Sequence, residues 1–87
     1  MPLIARQLII KNQQGLHARP AALFVQTANK YDAAIVVKKG RQKVNGKSIM
    51  GILMLAAGKG ATILIEADGE DAQKAIEELE RILSKDE

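Results

Sequence analysis

Residues 34–45, AIVVKKGRQKVN, read as two strands, Ala34 to Lys39 and Gln42 to Asn45, joined by a tight turn at Lys39-Gly40. Moving outward from this hairpin, helical and extended patterns alternate. On the N-terminal side, Ala18 to Lys30 carries Ala21, Leu23, Phe24, Val25 and Ala28 at helical spacing. Before it, Ile4 to Ile10 is rich in branched residues and has the length of a strand, and Asn12-Gln13-Gln14-Gly15 breaks it. On the C-terminal side, Ser48 is a good N-cap for a short apolar helix, Ile49 to Leu55, which Gly58-Lys59-Gly60 ends. Ala61 to Ala67 (ATILIEA) is the fourth strand, and Asp68-Gly69 closes it.

The last helix runs from about Glu70 to Ser84, with Ala72, Ala75, Ile76, Leu79, Ile82 and Leu83 as its buried stripe. Glu70 with Lys74, and Glu77 with Arg81, are spaced one turn apart in the favourable order. The order is therefore β-α-β-β-α-β-α. It predicts an α/β (α+β) fold with a four-stranded, mainly antiparallel sheet covered on one face by three helices. Residues 1–87 suit a single domain.

Composition excludes several classes of function. The chain has no cysteine, which removes disulfides, thiolate chemistry and cysteine-based zinc sites together. A secreted domain this small often needs disulfides, and the start, MPLIARQLIIKNQ, lacks the apolar core of a signal peptide. A cytoplasmic protein without membrane insertion is expected, since no run approaches ~20 apolar residues. The net charge of +3 and the two aromatic residues, Phe24 and Tyr31, fit nucleic-acid binding poorly. Lys38, Lys39, Arg41, Lys43 and Lys47 form the densest basic group: either a solvated hairpin or a face for an acidic protein partner. Gly46-Lys47-Ser48 resembles the end of a phosphate-binding loop, but the required earlier glycine is replaced by Arg41. One histidine and scattered carboxylates match no metal-ligand spacing, so neither metal nor cofactor is expected.

The remaining chemistry lies in GLHARPAA, residues 15–22, which holds the sole histidine, His17. An idle or capping imidazole is one reading. The other is a nucleophile, favoured by three neighbours. Gly15 permits close backbone approach, Pro20 is tolerated only in a first helical turn, and Arg19 adds a permanent cation. A helix start offers free N–H groups and partial positive charge, which suit a phosphate. Imidazole has an unperturbed pKa of ~6.5, so a ring nitrogen is available near neutral pH.

GLHARPAA, followed by Leu23-Phe24-Val25 and later by Lys47-Ser48-Ile49-Met50-Gly51, strongly resembles the HPr family. These are the histidine-containing phosphocarriers of the bacterial phosphoenolpyruvate-dependent sugar phosphotransferase system. The resemblance covers essentially the whole chain. It implies an open-faced β-sandwich and a phosphocarrier that is not itself an enzyme. His17 would be phosphorylated at Nδ1 by enzyme I and relieved by enzyme IIA domains. Arg19 would contact the phosphoryl group, with Ala18 and Pro20 shaping the helix start. Ser48 would be the site of an ATP-dependent HPr kinase/phosphorylase, giving a corepressor for a catabolite-control transcription factor. Its other role is simply that of an N-cap. Ile49, Met50 and Leu53 share a helical face that by spacing suits the core. The resemblance instead makes them, with Ala22, an exposed docking patch on a monomer. Gly46 stands where relatives often carry alanine or larger residues, which would loosen the loop before Ser48. Gln13-Gln14 is also unusual, leaving open any capping contact from that loop.

Overall fold

The computed structural model describes residues 3–84. Its elements are β1 (Leu3–Ile9), α1 (Ala18–Ala28), β2 (Ala34–Lys39), β3 (Gln42–Asn45), α2 (Ile49–Met54), β4 (Thr62–Asp68) and α3 (Ala72–Ser84). The order is the expected one, and both hairpin strands have the expected bounds. The starts of α1 and α2 and the end of α3 also fall as expected, and the remaining ends differ by one or two residues. Ile10 and Ala61 continue the β1–β4 ladder through Ile10 N–H to Ala61 O (2.9 Å), although they lie outside both strands. Asn29 and Leu55 serve as C-caps of α1 and α2 rather than as helical residues. Glu70 and Asp71 belong to the turn before α3.

The four strands form one sheet in the order β1-β4-β2-β3, and all three pairings are antiparallel. Successive side chains of a strand point to opposite faces, so alternation decides which become buried. In β4 the buried residues are Ile63, Ile65 and Ala67; in β2 they are Ile35 and Val37. Register aligns these with Leu8, Arg6 and Ile4 of β1 and with Val44 of β3. This face receives the helices: α3 packs on β1, β4 and α1, while α2 packs on α1 and β3. The opposite face has no covering element among the described residues and exposes Leu3 and Ile9. It is the open-faced β-sandwich.

Phe24 of α1 is fully buried, in the same core cluster as Ile10, Ile52, Leu55, Ile63, Ile76 and Leu79. With so few aromatics, truncating it to alanine is expected to cost about 3–5 kcal/mol. In α3, Ala72, Ala75, Ile76, Leu79 and Leu83 are buried, but Ile82 is only partly covered. Neither expected ion pair on α3 closes: Glu77 instead accepts from Gln73 Nε2 at 2.8 Å. Among the described residues the ion pairs join elements instead: Arg6 with Glu80, Lys30 with Glu78 (3.1 Å) and Lys38 with Glu66 (3.2 Å). No helix among these residues is long and apolar enough to cross a membrane.

Candidate functional site

Between β1 and α1 the chain folds back against the segment that comes after α2. Gly15 N–H donates to Asn12 O (3.0 Å), and Leu16 N–H donates to Ala57 O (2.8 Å). Gly15 has φ +71°, and a Cβ there would lie 2.6 Å from Ala57 O and 2.7 Å from Gly58 Cα. Glycine is required twice over, by conformation and by space.

His17 is next, as the N-cap of α1, with extended backbone (φ −98°, ψ −170°) and no side-chain cap hydrogen bond. Its carbonyl accepts from Ala21 N–H at 3.0 Å, so its backbone begins the helix while its ring is left for other work. His17 is half-buried and borders an open depression of about 600 Å³. Asn12, Gln13 and Gln14 line it from the preceding loop, Ala18, Arg19, Pro20 and Leu23 from α1, and Ile82 from α3. The Gln13-Gln14 loop thus contributes walls, not a helix cap.

The first turn of α1 is left electrostatically positive. Pro20 has no N–H, and the Ala18 and Arg19 amides have no partner among the described residues. No acidic residue occupies the turn. Arg19 is exposed and forms no ion pair among the described residues. An imidazole, two free amides and a free guanidinium therefore border one depression, a combination suited to a small multivalent anion. No group of three or more histidine, cysteine or carboxylate side chains among the described residues gathers as a metal site.

Ser48 caps α2: its Oγ accepts from Gly51 N–H at 3.1 Å. The loop before it is not loosened by Gly46, contrary to expectation. Gly46 N–H donates to Ile35 O at 2.7 Å, and a Cβ there would lie 2.4 Å from Ile35 Cγ2. Asn45 adds two contacts, accepting Lys47 N–H at its side chain (2.9 Å) and Ser48 N–H at its carbonyl (3.1 Å). Glycine suits this loop because its missing Cβ leaves room for the Ile35 side chain beside that backbone bond.

Spacing suited Ile49, Met50 and Leu53 to the core, yet all three are exposed, Met50 by 64%. Ile52 within the helix and Leu55 at its C-cap are buried and anchor it. Ala22 is half-buried on α1. Sequence reasoning missed two further exposed residues, Leu23 at 48% and Met54 at 67%. The available signal was that α2, IMGILM, is apolar on every side while a short surface helix can bury only one.

The antiparallel register brings the ends of β1 and β2 to the starts of β3 and β4. Lys11, Arg19, Lys39, Arg41, Lys43 and Lys59 lie on segments meeting at this end, with no carboxylate in 9–19, 38–45 or 54–62, while Lys38 is paired with Glu66. Asp32, Asp68, Glu70 and Asp71 line a depression at the opposite end together with Lys74, four carboxylates to one ammonium.

These features define a class: a small α+β sandwich presenting one accessible histidine at an uncompensated helix start, within a basic pole. Comparison with known proteins agrees. The family model described as the PTS HPr component phosphorylation site matches residues 4–85. HPr-like protein Crh of Halalkalibacterium halodurans is 45% identical over 84 residues, 97% of this chain and 100% of the relative. The crystal structure of phosphocarrier protein HPr from Bacillus anthracis has a TM-score of 0.89 and 44% identity, covering 94% of this chain and 98% of that one. Crh from Bacillus subtilis, whose crystal structure is described as a dimer with a swapping domain, gives a TM-score of 0.74 and 43% identity over 87% of each chain. The chain belongs to the HPr family of the phosphotransferase system. A dimer among such relatives withdraws support from the expected monomer.

Proposed function

We propose that residues 1–87 act as one phosphocarrier domain in the cytoplasm, with His17 taking a phosphoryl group from phosphoenolpyruvate-charged enzyme I. Enzyme IIA domains then receive that group for sugar uptake. The supporting observation is His17 bordering an open depression next to the Ala18 and Arg19 amides, which have no partner among the described residues. In the first half-reaction Nδ1 attacks phosphorus, and the P–N bond forms as the bond to the donor breaks. In the second, a nucleophile of the acceptor reverses this and returns neutral imidazole. The two amides and the Arg19 guanidinium hold the phosphoryl oxygens throughout, so charge that spreads onto them in a loose transition state is already met. Pro20 fixes φ where an N–H donor is not needed. The chain is a co-substrate, because partners supply the catalysts for both halves.

Ala22, Ile49, Met50 and Leu53, extended by Leu23 and Met54, form the docking surface in this reading. Methionine suits it, since an unbranched thioether repacks against different partners. The basic pole speeds encounter with acidic partners.

A second, compatible reading is regulation at Ser48 by an ATP-dependent HPr kinase/phosphorylase, yielding a corepressor for a catabolite-control transcription factor. The Bacillus subtilis relative described as a catabolite repression protein, Crh, favours it. A phosphate on Ser48 would meet the amides at the start of α2 and place negative charge beside Ile49 and Met50.

Incubation with enzyme I and phosphoenolpyruvate, with mass measurement before and after mild acid, tests the carrier reading. One acid-labile phosphate is expected, absent in His17→Ala. Adding ATP and the kinase is expected to give an acid-stable phosphate, absent in Ser48→Ala. If only the second adduct forms, the protein is regulatory and the carrier reading fails.

A further inference from the structure

We infer that Lys39, at the end of β2, is a positioning residue that locks the docking helix and the His17 loop into one relative arrangement. This inference rests on the carrier reading. Lys39 Nζ donates to Leu55 O at 2.8 Å and is 3.4 Å from Ala56 O. From the same hairpin, Gln42 Nε2 donates to Met54 O at 3.3 Å. Three consecutive carbonyls at the end of α2 are thus met by side chains from across the fold. A helix C-terminus leaves carbonyls unpaired and carries partial negative charge, and α2 has no basic residue in its own last turn. Lys39 supplies that missing cation.

The clasp holds the chain just ahead of a strained turn. Ala56 adopts φ +49°, a left-handed conformation unfavourable for a residue with a side chain. That turn aims Ala57 O at Leu16 N–H, the bond that seats the residue before His17. Gly15 packs directly on the Ala57–Gly58 backbone. A continuous path therefore runs from the Lys39 ammonium through the Ala56 turn and Ala57 O to Leu16 and His17. The same ammonium holds the end of the helix that exposes Ile49, Met50, Leu53 and Met54. A partner docked on α2 must find His17 at a fixed offset, and small misplacements of a reacting group are costly in rate.

The test compares wild type, Lys39→Met and Lys39→Arg. Two quantities are measured: transfer from phosphorylated enzyme I at low and high salt, and amide hydrogen exchange at Leu16. Methionine keeps an apolar stem and removes the donor. Lys39→Met is expected to lower the transfer rate at saturating enzyme I by about tenfold. That loss should persist at high salt, with faster Leu16 exchange, and Lys39→Arg should restore both. A defect confined to KM that vanishes in high salt would assign Lys39 to charge steering and overturn the inference. Unchanged Leu16 exchange in Lys39→Met would overturn it equally. If wild type accepts no phosphate, the carrier reading fails, while the exchange measurement still judges the clasp.

Discussion

Replacing Gly15 with alanine would place a methyl carbon 2.6 Å from the Ala57 carbonyl oxygen, at a residue whose φ is +71°. The loop must shift or the helix start must move, and Leu16 loses its hydrogen bond in either case. Gly15→Ala is expected to destabilise the protein by about 1–3 kcal/mol and to slow phosphorylation of His17; urea denaturation and transfer assays check the two effects. Ala56 presents the opposite case, a side chain where glycine fits better. Ala56→Gly relieves the left-handed cost, partly offset by greater freedom in the unfolded chain, for a net gain of up to about 1 kcal/mol in the same denaturation assay. The requirement for close approach at Gly15 was legible beside His17. Its counterpart, the Ala57–Gly58 backbone, was not, because nothing local ties two segments so far apart in sequence. Ala56 gave no signal at all, since alanine is not a residue that marks a left-handed turn.

Among the elements, α2 exposes more large apolar side chains than any other described element. Its hydrophobic spacing is legible, but spacing alone cannot tell a buried face from a presented one, and Ile49, Met50 and Leu53 fall on the presented side. Burial is settled by Ile52 and Leu55, which reach the core only because α2 crosses β3 and α1. Met50→Ala is expected to leave stability within about 0.5 kcal/mol of wild type, because the side chain is exposed. It should raise the KM for enzyme I about fivefold to thirtyfold, the range of a docking anchor, in a steady-state transfer assay. Ser48→Ala removes the cap on Gly51 N–H and should cost about 1 kcal/mol in a denaturation titration, without loss of the acid-labile phosphate. The capping role was readable from Ser48 directly before an apolar run. Of the two pairs expected on α3, Glu77 bonds Gln73 instead of Arg81, and Glu70 lies in the turn before the helix rather than on it.

At the scale of the whole molecule, charge is divided between a basic pole that carries His17 and an acidic pole around Asp71. Sequence showed the dense lysines but not this polarity, which arises only when antiparallel register collects distant turns. Raising ionic strength is expected to slow association with an acidic partner while leaving the transfer rate at saturation unchanged, a split that stopped-flow kinetics resolves. Asp71 accepts the N–H groups of Asp32 and Ala33, each at 2.9 Å, and these bonds hold its carboxyl below its ordinary 3.8. The Tyr31 hydroxyl, then Lys30, hold Glu78 below its ordinary 4.5, and the same Glu78 bond, then burial, pushes the Tyr31 phenol above 10.0. Lowered carboxylates contribute stability above their ordinary values, and it is lost as pH falls through the folded-state values beneath 3.8 and 4.5. The raised phenol contributes below pH 10.0 and loses that contribution as pH climbs through its folded-state value. Denaturant midpoints measured across pH should therefore fall at both extremes, and Glu78→Gln should return the Tyr31 ultraviolet titration toward its ordinary position. The central claim concerns one nitrogen. Imidazole NMR on protein labelled with nitrogen-15 and treated with enzyme I and phosphoenolpyruvate reads that nitrogen directly. A phosphorus-coupled Nδ1 resonance at His17 that disappears in mild acid is the predicted result; an unaltered imidazole spectrum after full treatment would contradict it.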